Sequence, residues 1–392
     1  MTGPENTGAK RATGRRGAIA TSAPAASRIG IAVLAGGGNA VDAAVAAALA
    51  LAVADPANAG LGGRCHLVVA TPEGGVRALD GATRQPAATP PDPRPAARGH
   101  ATAPVPGLLA ALDAALAAYG RLSWADAVRP AAALATDGFL VPPGLAAAWA
   151  EAAPDLARDA DARCHYLDDD GRPPAAGARV RLPVLAELLD RLAAEGAAGF
   201  YRGPVAADLA AENRAGGGAL AAADLAAYRA RPGEVVRGPF RGRVVATVGR
   251  QAWGHTLIEM LGLIERLEGA ASGEADRAAR RALALHAALA DRPHEIGTLR
   301  PKRDGLALDR LIAADFLDAR AAEVEALLAS SPEVLAARLT AALPWPESHT
   351  TDEMDKGFFS RGSLSLARTT SWRSAAHRLE ASPGRLIRAL PA

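Results

Sequence analysis

The chain has 392 residues, which is long enough to bury a large hydrophobic core and to form two subdomains. Hydrophobic residues make up 49% and the net charge is +2, which excludes a disordered chain and gives no reason to expect nucleic acid or a membrane surface as a partner. The two cysteines, Cys65 and Cys164, lack metal-ligand spacing, so we expect no metal site and no cofactor.

Residues 1–16 are polar and predict a flexible N-terminus. The apolar run that follows Arg16 is only Ala-Ile-Ala, which is too short for the core of a signal peptide. We therefore expect a cytoplasmic protein.

The segment from residue 35 to residue 64 predicts a central helix that delivers a glycine-rich turn. Asn39 is a typical N-cap residue, and Asp42 falls in the first turn, where a carboxylate favours the positive end of the helix dipole. Ala43–Ala54 contains only Ala, Val and Leu, which indicates a helix buried on all sides. Pro56 ends the helix, and the glycines of Gly60–Gly63 mark a sharp bend or a close approach of the backbone.

Other elements follow from periodicity and turn signals. Strands at 66–70 and 76–79 flank a turn and predict a hairpin. Helices are predicted at 108–119, 123–138, 183–196, 204–216, 255–267 and 276–291, strand character at 235–248, and two short helices at 309–327.

Several motifs resemble the large subunit of gamma-glutamyltransferases. The first is G-G-N-A-V-D-A-A-V-A followed by G-L-G-G, and V-P-G, Y-G-R-L-S-W, D-G-F-L-V-P-P and F-Y-R-G occur further along the chain. The resemblance covers roughly residues 17–351. It implies an α/β fold, the helix-rich large-subunit part of an N-terminal-nucleophile α/β/β/α sandwich. It also implies an opening strand that ends at Ser22 and a helix from Ser27 towards Ala35.

The motif E-S-H-T-T-D at residues 347–352 resembles the processing site of that family. The resemblance implies autocatalytic cleavage of the His349–Thr350 bond. Thr350 would then be the catalytic nucleophile, with its own α-amine as the base. Asp352 stands where the family usually has a histidine.

Arg84 is the candidate substrate-binding residue. In strict glutamyl transferases an arginine just after the strand holds the α-carboxylate of glutamate, because a guanidinium pairs with a carboxylate bidentately. This chain has Ala82 at that position, and its nearest arginine is Arg84, two residues later. Arg84 binds another anionic group or is an ordinary surface arginine; the sequence leaves both interpretations open.

The resemblance fades after Thr350. The 43 residues from Thr350 to Ala392 are too few to form the sheet, the substrate pocket and the oxyanion donors that the family's small subunit supplies. We therefore divide the chain into a flexible 1–16, a large-subunit domain at 17–349 and a divergent tail at 350–392, and expect a separate small-subunit partner. The substrate would be a small-molecule amide or gamma-glutamyl compound. The alternative is a non-catalytic large-subunit remnant or scaffold.

Two histidines, His255 and His286, lie on predicted helices. The family's usual P-P-S-S-G-G turn is replaced by V-G-R-Q-A-W-G-H, which ends at His255. A histidine at the start of a helix is usually a capping or surface residue, and we predict that role for His255. His286 lies on the apolar face of the helix at 276–291 and is predicted to be partly buried and hydrogen-bonded.

Overall fold

A computed structural model describes residues 13–15, 17–90, 99–291 and 308–330 of the chain. Helices dominate these ranges, and the strands are few and short. The α-helices are α1 (Pro24–Ala35), α2 (Ala40–Ala54), α3 (Leu108–Tyr119), α4 (Trp124–Asp137), α5 (Pro143–Leu156), α6 (Ala160–Tyr166), α7 (Pro183–Glu195), α8 (Ala198–Tyr201), α9 (Pro204–Ala215), α10 (Ala222–Ala227), α11 (Gly254–Glu268), α12 (Glu274–Asp291) and α13 (Ala314–Leu328).

The strands are antiparallel wherever they pair. They are β1 (Cys65–Ala70), β2 (Val76–Gly81), β3 (Phe139–Leu140), β4 (Arg179–Val180), β5 (Arg231–Gly233), β6 (Val235–Phe240) and β7 (Arg243–Val248). They form a three-stranded sheet in the order β1-β2-β5 and the two-stranded pairs β3-β4 and β6-β7. Short 3-10 turns lie at His100–Thr102, Arg250–Ala252 and Leu308–Ile312.

The described chain divides into two compact units. The first combines residues up to Gly63 with Thr83–Ala88 and Pro104–Tyr228, and it holds α1–α10 with β3 and β4. The second combines Arg64–Ala82, Thr89–Ala103 and the residues from Arg229 onward, and it holds the remaining elements.

Helix α2 is the buried centre of the first unit, as the sequence predicts. It packs against α1 and α4, and most of its side chains are buried. Ala40 and Ala44 are exposed, so the prediction of burial on all sides is wrong for that one edge. No helix in the described ranges is long and apolar enough to cross a bilayer.

The start of α2 is held by reciprocal hydrogen bonds. The side chain of Asn39 accepts from the backbone N–H groups of Val41 and Asp42, while Asp42 Oδ2 accepts from the N–H of Asn39 at 2.7 Å. Both residues therefore act as the capping box that their spacing predicts. Because Asn39 Nδ2 also donates to the carbonyl of Tyr119 at 2.6 Å, the cap joins α2 to the last residue of α3.

Asp42 extends this connection to the loop between α3 and α4. The side chain is fully buried, and its Oδ1 accepts from the N–H groups of Arg121 at 2.8 Å and Leu122 at 3.0 Å. A Cβ at Gly120 would lie 2.7 Å from the same oxygen, so only glycine leaves room for the carboxylate. One carboxylate thus positions the ends of three helices.

Helices α3, α4, α7 and α9 follow their predicted boundaries closely, whereas α5, α6 and α8 have no counterpart in the sequence prediction. Ser123 caps α4 by accepting from the N–H of Asp126 at 3.2 Å, and Gly120, Gly138 and Gly196 follow the ends of α3, α4 and α7. α4 packs along α7, where Trp124 Nε1 donates to the carbonyl of Leu192 at 2.9 Å.

The second unit contains two hairpins and a three-helix cluster. The β1-β2 hairpin confirms the predicted strands, and the predicted strand segment 235–248 is a hairpin of β6 and β7 that turns at Arg241 and Gly242. Helix α11 packs against β6 and against α12 and α13. The apolar core of these helices consists of Leu263, Leu267, Leu283, Ala284, Ala287, Ala288, Leu317, Ala321 and Val324.

The opening strand predicted to end at Ser22 is wrong. Residues 17–22 form no strand, and α1 begins at Pro24 instead of Ser27. Thr21 Oγ1 donates to the carbonyl of Ala23 at 2.7 Å, and Ser22 Oγ donates to Asp55 Oδ2 at 2.6 Å. The local bond of Thr21 favours a turn over an extended strand, and the bond of Ser22 ties this turn to the residue after α2. Pro24 is suited to the first helical position.

Two predictions in the second unit also need correction. The apolar pattern of the helix predicted at 255–267 places Leu257 on the same side as Ile258, but Leu257 is exposed, because the buried face of α11 runs through Ile258 and Leu263. The second of the two short helices predicted at 309–327 is a 15-residue α-helix, α13, preceded by a 3-10 turn.

Replacement of Asp42 by alanine tests how far the fold depends on this carboxylate. The variant leaves three backbone N–H groups without their acceptor, and we expect it to lower the free energy of unfolding by about 3 kcal/mol or more. Asp126→Ala is the matched control, since Asp126 is also the third residue of a helix but is half exposed; it should cost about 1 kcal/mol or less. Urea denaturation measures both. Equal losses in the free energy of unfolding would contradict the claim that the buried hydrogen bonds of Asp42 stabilise the fold more than the exposed ones of Asp126.

Candidate functional site

The residues singled out from the sequence fall in different places. Thr350, His349 and Asp352 lie outside the described residues. Arg84 belongs to the first unit, whereas Ala82 belongs to the second. The surroundings of Arg84 and of Ala82 are therefore described separately, each within its own unit.

Arg84 is held through both its backbone and its side chain. Its N–H donates to the carbonyl of Val105 at 3.1 Å, and the N–H of Val105 donates back at 2.7 Å, which makes an isolated antiparallel bridge. Its guanidinium carbon lies 4.8 Å from the centroid of the Tyr228 ring, within the range of a cation–π interaction. The side chain is half-buried, so the aromatic face orients the guanidinium.

Tyr228 is itself part of an aromatic stack. Its ring is stacked on Tyr201 with centroids 5.7 Å apart and an interplanar angle of 10°, and Phe200 meets Tyr201 edge-on. The Tyr201 hydroxyl donates to the carbonyl of Pro106 at 3.1 Å and accepts from the N–H of Ala110 at 3.2 Å. Burial raises the pKa of Tyr201 well above its ordinary value, so its hydroxyl stays protonated and continues to donate.

This stack joins two motifs that the sequence shows only as separate patterns. Tyr201 belongs to the F-Y-R-G tetrad, and Tyr228 follows α10. Nothing in their spacing indicates that the two rings meet under Arg84. The sequence shows only that tyrosines occur at these positions, which is too common to point to a site.

The glycine-rich turn lies against the start of α3. The carbonyl of Gly63 accepts from the N–H groups of Gly107 at 2.9 Å and Leu108 at 3.0 Å. The predicted close approach is thus confirmed. The carbonyl satisfies N–H groups that the first turn of a helix leaves without a partner.

Ala82 follows β2 in the second unit. Its N–H donates to Asp80 Oδ1 at 2.9 Å. His66 lies directly opposite Asp80 on β1, and its Nδ1 is 3.3 Å from the same oxygen without the alignment of a hydrogen bond. Burial lowers the pKa of His66, the Asp80 carboxylate opposes that effect, and the Arg64 guanidinium adds to it. The imidazole is therefore mainly neutral at neutral pH.

The two thiols show no sign of catalytic activation. Burial raises the pKa of Cys65 to about 11, which keeps it in the unreactive thiol form, and Cys164 is an exposed free thiol.

The predictions for His255 and His286 are correct only in part. His255 is neither a surface nor a capping residue: it is buried and makes no capping hydrogen bond. His286 is half-buried as predicted, and burial followed by the charge of Arg320 lowers its pKa. Its Nε2 has no hydrogen-bond partner among the described residues, so the expectation of a satisfied ring is wrong for that atom.

Comparison with known proteins extends over most of the chain. Residues 26–355 match the sequence profile of the Gamma-glutamyltranspeptidase family. The acylase ACY 1 proenzyme of Pseudomonas sp. (strain V22) is 33% identical over 334 residues, which is 80% of this chain and 59% of that protein. The glutathione hydrolase proenzyme of Escherichia coli (strain K12) is 30% identical over 296 residues, 72% of this chain and 51% of that protein.

A solved structure also resembles this chain. The gamma-glutamyltranspeptidase of Helicobacter pylori superposes with a TM-score of 0.74 at 26% identity, covering 88% of this chain and 96% of that one. The chain therefore matches 51% to 59% of the length of the two curated relatives above.

A double-mutant cycle on Arg84 and Tyr228 tests the stack. We expect Arg84→Ala and Tyr228→Leu to couple by about 0.5–1 kcal/mol in the free energy of unfolding, because each removes the same cation–π contact. Arg84→Lys should keep the charge and lose part of the coupling, since an ammonium does not stack as a plane. Additive effects of the two substitutions would contradict the contact. Urea denaturation of the four variants provides the measurement.

Proposed function

The chain belongs to the Gamma-glutamyltranspeptidase family, and from this premise we propose that it is the large-subunit part of an amide-cleaving acyltransferase. The observation that carries the proposal is the family match, which extends through residue 355 and so includes the E-S-H-T-T-D segment. The names of the relatives, an acylase and a glutathione hydrolase, support a small-molecule amide as the substrate.

The proposed nucleophile is Thr350, set free by cleavage of the His349–Thr350 bond. Its hydroxyl attacks the carbonyl carbon of the substrate amide, and its own α-amine takes the hydroxyl proton. The proton passes to the leaving amine, the C–N bond breaks, and the acyl group remains on Thr350 as an ester. Water or an acceptor amine then attacks the ester and releases the acyl group, restoring the hydroxyl.

The proposal includes a second chain. The family match ends at residue 355, and the sequence beyond it is rich in arginine and serine and does not resemble the family's small subunit. Among the described residues of the second unit the sheets have three and two strands, and Val244 of β7 is largely exposed. Unpaired strand edges accept further strands, so a separate small subunit would complete an α/β/β/α sandwich on these strands and supply the pocket.

Ala82 argues for an acyl group other than glutamyl. Where strict glutamyl transferases place an arginine, this chain offers a methyl group, and a buried carboxylate without a cation costs several kcal/mol. Arg84 is the proposed substitute for an anionic group elsewhere on the substrate. Its aromatic support would hold the guanidinium in one orientation, which favours bidentate recognition.

A non-catalytic scaffold remains the second candidate. The observation that favours it is Asp352 in place of the family's usual histidine, beside the bond that must be cut. A carboxylate cannot replace a neutral imidazole as a hydrogen-bond donor. Processing separates the two candidates, because a scaffold has no need of a free N-terminal threonine.

The nucleophile is tested by substitution. Expressed alone, the chain should remain one band, and with a small-subunit chain it should yield a fragment beginning at Thr350. Thr350→Ala should abolish both cleavage and turnover, while Thr350→Ser should retain part of each, because the hydroxyl survives. Thr351→Ala is the matched control and should keep measurable activity. N-terminal sequencing and amide turnover provide the readouts, and full turnover by Thr350→Ala would refute the assignment.

The specificity is tested with paired substrates. The assembled enzyme should cleave a gamma-glutamyl anilide and its analogue without the α-carboxylate at comparable kcat/KM, since Ala82 offers no cation to that carboxylate. Ala82→Arg should shift the preference towards the glutamyl compound by about tenfold or more. If the parent already prefers the glutamyl compound and Arg84→Ala removes the preference, Arg84 has taken over the role of the missing arginine.

A further inference from the structure

Three potential metal ligands from distant segments meet in the second unit. Glu234 lies between β5 and β6, His255 lies in the first turn of α11, and Asp309 lies in the 3-10 turn at Leu308–Ile312. His255 Nε2 is 3.2 Å from Asp309 Oδ1 and 3.9 Å from Glu234 Oε1. One ligand atom from each residue lies within 4.8 Å of the other two.

The imidazole is the fixed part of this cluster. Its side chain is only 3% exposed, and its position follows from a strained turn. Trp253 has a φ of 64°, in the left-handed region that a bulky residue rarely adopts, and a Cβ at Gly254 would lie 2.1 Å from the carbonyl of Val248. Residues held in this way often mark functional positions.

Glu234 is also held by the same turn. Its Oε2 accepts from the N–H of Arg250 at 3.1 Å, and its backbone carbonyl accepts from the N–H of Gly249 at 2.9 Å. A Cβ at Gly249 would come within 2.3 Å of Oε2, so glycine is required for this approach. The bond to Oε2 leaves Oε1 directed towards His255, and a hydrogen-bonded carboxylate of this kind is the usual support for a metal ligand.

The ring of His255 is held through Nε2, which is within hydrogen-bond distance of Asp309 Oδ1 at 3.2 Å. Nδ1 is buried and has no hydrogen-bond partner among the described residues. The orientation of the ring is therefore set by the carboxylates of Glu234 and Asp309, which lie near Nε2.

We propose that Glu234, His255 and Asp309 form a binding site for a divalent transition-metal ion of the Zn²⁺ type. Such ions bind imidazole nitrogen and carboxylate oxygen at about 2.0–2.2 Å, which places neighbouring ligands in a tetrahedral site about 3.4 Å apart. Asp309 already has that spacing to His255. Glu234 and Asp309 are 47% and 87% exposed, so both carboxylates are free to contract around an ion and leave a path for its entry.

The two negative charges and the imidazole nitrogen of the site favour a particular class of ion. The double positive charge of the ion would balance the two carboxylates beside the buried imidazole. An imidazole ligand favours Zn²⁺ and its neighbours over Mg²⁺ and Ca²⁺, which prefer oxygen ligands alone. Three protein ligands leave a fourth position open to water or to a ligand.

This site differs from the expectation of no metal. That expectation rested on cysteine spacing, whereas these ligands are separated by 21 and 54 residues along the chain. An ion bound here would tie the 3-10 turn to the start of α11. It would stabilise the folded chain, because the unfolded chain has no assembled site.

Titration of the purified, tag-free chain with Zn²⁺ after chelator treatment tests the proposal. Isothermal titration calorimetry should show one ion per chain, and thermal melting should show a rise in Tm with Zn²⁺. Asp309→Asn and Glu234→Gln should each weaken binding by about tenfold or more and remove most of the rise in Tm. Asp309 is exposed, so its variant will fold even if His255→Gln does not.

His165→Gln is the matched control, since His165 is a half-buried histidine on α6 beside the exposed Cys164. It should bind Zn²⁺ like the parent. Loss of binding in His165→Gln with full binding in Asp309→Asn would place the ion elsewhere and overturn the proposal. So would a parent chain that binds no Zn²⁺. Neither readout uses turnover, so the result stands whether or not the chain is active as an amidase.

Discussion

The first unit depends on one buried carboxylate. Asp42 accepts backbone hydrogen bonds at the start of α2 and in the loop between α3 and α4, and Gly120 leaves room for it. A charge without water is tolerated only when hydrogen bonds replace its solvent, and here three N–H groups do so. The same carboxylate thereby caps α2 and fixes the position of α2 relative to the loop between α3 and α4. The glycine turn that follows α2 then contacts the start of α3 through Gly63.

Elements with local signals were predictable from the sequence. The bounds of α3 follow from an apolar face and a terminal glycine, and the β1-β2 hairpin follows from alternation around a turn. The opening strand was not predictable, because the hydroxyl group of Ser22 donates to Asp55, 33 residues away, and no local propensity records such a contact. The same limit applies to Arg84, whose aromatic support comes from a residue 144 positions away.

The candidate functional residues also differ in whether the sequence or only the fold identifies them. Thr350 is recognised by a motif and lies outside the described residues, so its role rests on family membership and on the chemistry of an N-terminal threonine. Ala82 and Arg84 are described, and the altered acyl-group preference that we propose rests on these two residues. His255 belongs to neither group, because its neighbours Glu234 and Asp309 become visible only in the folded chain. The segment V-G-R-Q-A-W-G-H by itself indicates only that His255 lies at the start of a helix.

The central claim is that Thr350 carries the acyl group during turnover. The most direct measurement is peptide mapping by mass spectrometry after the chain, assembled with a small-subunit chain, is treated with an activated acyl ester and quenched in acid. The account predicts one added acyl mass on the peptide that begins with Thr350 and none on the peptides that contain Cys65 or Cys164. An assembly that turns over the ester while its acyl group is found on another residue would contradict it.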